Sequence, residues 1–178
     1  NVYKELHNQI IRYFHFLYMK AEQGLSKKEI NAWFNFSEVP NNWLGYALVG
    51  NKGLALGHKY AKFLYENISF ALNTHGISQS QHIEKAMLLY DGSGKDKISD
   101  LTVNLIKGFL CEYTEQFAKE YIQPQFIKLF PVDKAYFNYD TESFISKEFA
   151  LPFVYDEKGI PEYVLLTPFD ILREDEPS

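Results

Sequence analysis

The sequence predicts an α+β fold: a mainly helical single domain over residues 1–178, with a small sheet that includes a C-terminal β-hairpin. Three observations predict it. Apolar residues recur at intervals of three and four over long stretches, the period of a helix with one buried face. A short apolar run, Ala86 to Tyr90, stops at a glycine loop, as a buried strand does. Near the C-terminus two β-rich runs flank a four-residue turn, the pattern of a hairpin.

In chain order, Val2 to Gln23 is the first helix. Leu6, Ile10, Tyr13, Phe14, Leu17, Tyr18 and Ala21 form its apolar stripe, and Gly24 is its natural stop. Ser26-Lys27-Lys28-Glu29 is a capping box, which predicts a second helix running to about Phe36. The two make an αα-hairpin. Pro40-Asn41-Asn42 breaks the pattern, and Trp43 to Val49 is a short apolar segment before a turn at Gly50 to Gly53. Leu54 to Ala71 reads as a third helix, with Leu56, Tyr60, Phe63, Leu64 and Ile68 inward. Ile98 to Tyr121 is the central helix. Its apolar positions Ile98, Leu101, Leu105, Phe109, Tyr113 and Phe117 predict the buried stripe, and Pro124 ends it. Phe126 to Phe130 and Ala135 to Tyr139 are ambiguous short apolar segments. Leu151 to Tyr155, the turn Asp156-Glu157-Lys158-Gly159 and Glu162 to Leu166 form the hairpin. Thr167-Pro168 opens a final short helix.

Composition narrows the function classes. Hydrophobic residues make up 46% of the chain and aromatics 17%, which supports a bulky core and excludes disorder. The net charge of −5 gives no global pull on a phosphate backbone, so nucleic-acid binding needs a local basic patch. A single cysteine, Cys111, excludes an internal disulfide framework and a thiolate metal cluster, and fits a reducing, cytoplasmic compartment. No apolar run approaches the roughly 20 residues that span a bilayer, and no signal-peptide pattern opens the chain. The start at Asn1 and the charged end at Arg173 to Ser178 predict a fragment of a longer protein, with a protein partner or a missing C-terminal region completing it.

The chemistry concentrates between Tyr90 and Lys107. Gly92 and Gly94 let the backbone bend and approach a ligand, with Ser93 between them. The helix that follows points free N–H groups at that loop, which attracts phosphate or carboxylate, and Lys95 adds a charge. The run is neither a Walker A sequence nor a dinucleotide fingerprint. Its acids, Asp91, Asp96 and Asp100, oppose a bare anion and suit a hard divalent ion with phosphate arriving second. Asp96 is equally an N-cap, and Asp100 favours the helix dipole. Asp100, Asn104, Lys107 and Cys111, spaced four, three and four, form a polar stripe that lines a cleft or is the solvated face of the helix. The second is the simpler expectation. Asp156-Glu157-Lys158 formally matches the acid-x-lysine element of a PD-(D/E)xK nuclease, with Asp91 as the first acid, but it sits where a hairpin turn is expected. The five histidines show no metal-ligand spacing, and Cys111 reads as a buried small residue.

The run Gly92-Ser93-Gly94-Lys95-Asp96-Lys97-Ile98-Ser99-Asp100-Leu101-Thr102-Val103-Asn104 resembles an uncharacterised family of bacterial proteins with a G-x-G-x-D-[RK]-I-S-D-x-T-x-N core. The likeness extends to Glu112-Tyr113-Thr114, to Leu151-Pro152, to Leu165-Leu166-Thr167-Pro168 with Asp170-Ile171-Leu172, and upstream to Leu44-Gly45-Tyr46 and Gly53 to Gly57. The resemblance implies an association with bacterial genome defence and a longer chain, and no particular activity. The family often carries another residue at Asp91, which favours Asp96 and Asp100 as the working acids. The expected function is then a metal-dependent, nuclease-like enzyme acting on a phosphate-containing substrate, nucleic acid or nucleotide. Asp96 and Asp100 hold Mg²⁺ or Mn²⁺, and Lys95 joins them as the catalytic set. Gly92, Ser93, Gly94, Asn104 and Lys107 bind substrate. The alternative is a non-catalytic interaction or nucleotide-sensing module of a larger protein.

Overall fold

The computed structural model describes residues 2–34 and 102–168. The expected elements between Trp43 and Tyr90, and the body of the final helix, lie outside the described residues. What is described is an α+β fold: helices α1 (Val2–Glu22), α2 (Lys27–Phe34) and α3 (Lys107–Tyr121), then an antiparallel sheet of β1 (Ile127–Asn138), β2 (Ser143–Tyr155) and β3 (Pro161–Tyr163) in that spatial order. These residues belong to two compact units, one of 2–34, 102–106 and 139–143, the other of 107–138 and 144–168.

The first unit is built on the α1 stripe. Leu6, Tyr13, Phe14, Leu17, Tyr18 and Ala21 are buried at the spacing the sequence dictates. Gly24, at φ +70°, turns the chain after α1. The capping box then forms in full: the Ser26 amide donates to Glu29 Oε2 at 2.8 Å, and the Glu29 amide donates to Ser26 Oγ at 3.3 Å. The Ser26 hydroxyl and amide also hold the Glu29 carboxyl below its ordinary range. α2 returns Trp33 and Phe34 to α1, where the buried Tyr13 hydroxyl donates to the Trp33 carbonyl at 2.6 Å. Burial pushes the Tyr13 phenol well above its usual range, so it is a permanent donor. The turn 139–142 docks on these helices. Arg12 stacks over Tyr139 at 3.9 Å, Lys20 pairs with Glu142 at 2.7 Å, and the Trp33 indole donates to the Glu142 carbonyl at 2.8 Å.

In the second unit α3 packs on β1. Its buried residues are Lys107, Gly108, Leu110, Cys111, Thr114 and Ala118. Phe109 and Tyr113 are half-exposed and Phe117 is 38% exposed, so the buried face is not the one the large apolar residues mark. Gly108 explains this. A Cβ there would stand 2.6 Å from the Ala135 carbonyl oxygen and collide with the Tyr136 ring, so helix and strand approach as closely as a bare backbone allows. Thr114 closes the other side: its hydroxyl donates to the Leu110 carbonyl at 2.7 Å and accepts from the Leu166 amide at 2.9 Å.

The C-terminal hairpin forms where the sequence places it. Phe153 pairs with Tyr163, Val154 with Glu162 and Tyr155 with Pro161. In the turn between them, Asp156 Oδ1 accepts from the Lys158 and Ile160 amides at 2.8 and 2.7 Å, and Gly159 takes φ +76°. The ambiguous segments Phe126 to Phe130 and Ala135 to Tyr139 resolve into the two ends of one long strand, β1, except that Phe126 closes a 3-10 turn just before it and Tyr139 lies just after it. Val132 and Ala135 are both buried although an odd number apart, because Lys134 adopts φ +53° between them and shifts the alternation by one.

Two substitutions test these joints. Tyr13→Phe leaves the Trp33 carbonyl without this donor and costs about 1–3 kcal/mol. Gly108→Ala drives a methyl into the β1 backbone and costs about 1–3 kcal/mol by overpacking. Both are read from the urea midpoint. An unchanged midpoint in Gly108→Ala would mean that α3 does not lie against β1.

Candidate functional site

Of the residues the sequence nominates, Gly92, Ser93, Gly94, Lys95, Asp96 and Asp100 lie outside the described residues, as does Asp91. Asn104 and Lys107 are described. Asn104 lies in a helical turn of the first unit and is 4% exposed. Lys107 begins α3 in the second unit and is 8% exposed. Cys111, one helical turn beyond, is fully buried. The polar stripe, where it is described, is therefore not the solvated face of its helix.

The surroundings of Lys107 follow from the close approach of its neighbour Gly108 to β1. That contact brings α3's first turn against the stretch Asp133-Lys134-Ala135. Asp133 is exposed, and its Oδ1 accepts from the Ser146 hydroxyl of β2 at 3.0 Å. Lys134, in its left-handed conformation, is half-buried with its ammonium 5.5 Å from the centre of the Phe144 ring. Such a conformation costs a non-glycine residue about 1–2 kcal/mol. On β3, the half-buried Tyr163 packs on Phe130 with ring centres 5.5 Å apart.

The electrostatics are unusual for a lysine. Among the described residues, Lys107 has no hydrogen-bond or ion-pair partner. Burial pulls its pKa down and the nearby Lys134 adds to that, against the opposing effects of Cys111 and Asp133. Burial also lowers Lys134, with Asp133 opposing. Burial pushes the Cys111 thiol up to about 12 despite Lys107, with Glu112 and Glu115 adding to the rise. A thiol at that value is no nucleophile at neutral pH. Tyr163 is likewise pushed up to about 12, by burial first and then by Cys111 and Asp133. Lys107 thus lies within electrostatic reach of a second lysine, of one carboxylate on the solvent side and of a thiol that stays neutral.

Residues 1–178 match the model of a family described as a domain of unknown function, DUF8370. The chain belongs to this family. No curated protein and no solved structure matches it.

Elsewhere in this DUF8370 chain the motif residues hold the fold together. Of Glu112-Tyr113-Thr114, Glu112 accepts from the Tyr136 hydroxyl at 2.5 Å, and Thr114 ties α3 to Leu166. The Asp156-Glu157-Lys158 element closes its own turn, with both amides on one Asp156 oxygen. Among the described residues no group of three or more His, Cys, Asp or Glu side chains is placed to hold a metal ion, and no helix is long and apolar enough to cross a membrane. Sequence reasoning missed Asp133, Lys134 and Tyr163. The one available signal was a charged pair interrupting the apolar segments on either side of it.

Replacing Lys107 tests its electrostatic state. Its folded pKa lies below the ordinary value of 10.5. The unfolded chain therefore holds this proton more tightly, and the buried charge costs stability at all pH values below the folded pKa. That cost is relieved as the pH rises through the folded value towards 10.5. Lys107→Met should raise stability by about 1–3 kcal/mol at pH 7. The gain over wild type should shrink as the pH approaches 10. A loss of stability at pH 7 would show that the amine is satisfied in the folded chain.

Proposed function

We propose that this chain binds a phosphate-containing ligand, nucleotide or nucleic acid, with Lys107 as a principal contact, and acts on it with a divalent ion. The observation that carries the reading is Lys107 itself. It is a buried amine without an acid partner among the described residues, beside a second lysine. Charges in such places are paired or bind something. Lysine is a common phosphate contact, acting as a point charge with rotatable donors. The metal part of the reading rests on residue types alone: Asp96 and Asp100, with Lys95 beside them, are the oxygen donors that suit Mg²⁺ or Mn²⁺. Gly92, Ser93 and Gly94 would add backbone contacts to phosphate.

A second reading is a nucleotide-sensing module that binds without turnover. It draws on the state of Cys111, protonated at neutral pH, which supplies the nearby Lys107 with neither a nucleophile nor a base.

Thermal unfolding separates the two. The chain is melted with and without Mg²⁺ or Mn²⁺, alone and with nucleotides and short DNA, as wild type, Lys107→Met and Asp96→Asn/Asp100→Asn. Ligand at about a hundred times its Kd should stabilise the wild type by about 2.7 kcal/mol and leave Lys107→Met unmoved. A metal-dependent rise lost in the double variant, together with product, marks the enzyme. A ligand-dependent rise without product marks the sensor. No shift with any phosphate compound overturns both.

A further inference from the structure

We infer that the open side of α3 is the interface of a homodimer, in which two copies of this chain pair their α3 helices antiparallel about a two-fold axis at Phe117. This goes beyond the phosphate reading above and does not depend on it.

Phe109, Tyr113, Phe117 and Tyr121 stand four residues apart and form one ridge along α3. Their rings lie against one another in pairs, Phe109 with Tyr113 at 6.5 Å between centres and Phe117 with Tyr121 at 4.8 Å. None of the four is buried. Phe109 and Tyr113 are half-exposed, Phe117 is 38% exposed and Tyr121 66%. The open parts of these rings, with the polar side chains beside them, offer on the order of 500 Å² per copy. Two copies together then bury on the order of 1,000 Å², the small and reversible end of specific interfaces.

A second copy is selected because this face is complementary to itself. About Phe117 the ridge reads alike in both directions, with a tyrosine four residues before and a tyrosine four residues after. Turned antiparallel, Phe117 meets Phe117 of the second copy, and Tyr113 meets its Tyr121. The next ridge on the solvent side carries Gln116 and Glu120, both exposed. Neither has a hydrogen-bond or ion-pair partner among the described residues. In a two-fold pair each flank faces the same flank of the other copy. Gln116 of one chain and Glu120 of the other then fall two residues, about 3 Å, apart along the axis. The Gln116 amide donates to the Glu120 carboxylate of the second copy, twice per dimer. The remaining charges on this side of α3 are matched within the chain. Lys119 pairs with Glu115 at 3.0 Å, and Glu112 accepts from the Tyr136 hydroxyl at 2.5 Å and pairs with Lys147 at 3.5 Å. The face therefore offers a phosphate backbone no unmatched cation, and its one unmatched acid finds its donor in a second copy.

Sedimentation equilibrium of the full chain tests this, reading the mass over about 1–500 μM against the 20.8 kDa of one copy. The wild type should move from one copy to two across that range, the micromolar association expected of a small interface. Phe117→Glu sets two carboxylates against each other on the axis and should hold the chain at one copy throughout. Gln116→Glu places like charges opposite Glu120 of the second copy and should weaken the dimer roughly tenfold or more. Adding Glu120→Lys to that variant should restore it. Tyr155→Ser, at a 67% exposed ring on β2, should leave the dimer unchanged. Thermal melts at the lowest concentration check that each variant folds, and the Gln116 series decides the matter if Phe117→Glu does not. A wild type that stays single at the highest concentration overturns the inference. So does a dimer that survives Phe117→Glu, a dimer indifferent to Gln116→Glu, or an assembly larger than two, since a two-fold pair closes on itself.

Discussion

The close approach of α3 to β1 at Gly108 is the constraint on which the second unit depends. With no side chain at that position, the helix backbone meets the Ala135 carbonyl and the Tyr136 ring directly. The neighbours of Gly108 on the helix are then carried into the interior whatever their polarity. Leu110 and Cys111 benefit from this; Lys107 does not. Small residues continue the face at Thr114 and Ala118, so α3 settles on the sheet through short side chains while its phenylalanines look outward. Tyr136 answers the contact from the strand side, its hydroxyl reaching Glu112 on the next turn of the helix.

The two units treat a lysine in opposite ways. In the first, Lys20 is matched on every side: Glu142 at 2.7 Å, the Trp33 ring at 5.3 Å and the Phe16 ring at 5.6 Å. A half-exposed ion pair of this kind contributes about 0.2–1 kcal/mol, and each ring contact about 0.5–1 kcal/mol more. Lys107 is more deeply buried and has none of these partners among the described residues. A fold selected for stability alone has a simple solution at that position, a methionine. A polar group held where an apolar one would be more stable is the usual mark of a position serving something other than the fold.

Elements governed by one strong local rule were legible in the sequence. The α1 stripe, the Ser26–Glu29 capping box and the Asp156–Gly159 turn each follow from spacing or from a few side chains, and each is found where the residues place it. β1 was not legible. Lys134 shifts its alternation by one, Pro131 interrupts it, and a left-handed lysine leaves no trace in composition. The buried face of α3 was misread for a related reason. Periodicity weights large apolar residues, but the packing at Gly108 selects small ones. As for the site, residue type drew attention to Lys107; the expectation of a solvated stripe fails at Asn104 and Lys107, whereas Cys111 is buried as its small apolar character suggests. Burial of Lys107 and Cys111 follows from a glycine's contact with a strand 27 residues further along the chain, which no local pattern encodes.

The neutral thiol near Lys107 also bears on its electrostatics. Had Cys111 been ionised, it would have neutralised Lys107 and left an ordinary internal ion pair. Burial holds it protonated, against the pull of Lys107 on the thiol. Low polarity strengthens the attraction between an ammonium group and any anion that reaches it, and it equally raises the cost of leaving that ammonium group alone. On the proposed phosphate reading, the same desolvation that depresses the Lys107 pKa would favour an anion-bound state over an empty one. Protonation of Lys107 and capture of an anion would then be coupled, and the protonated Cys111 thiol supplies no internal counter-charge to compete with that anion.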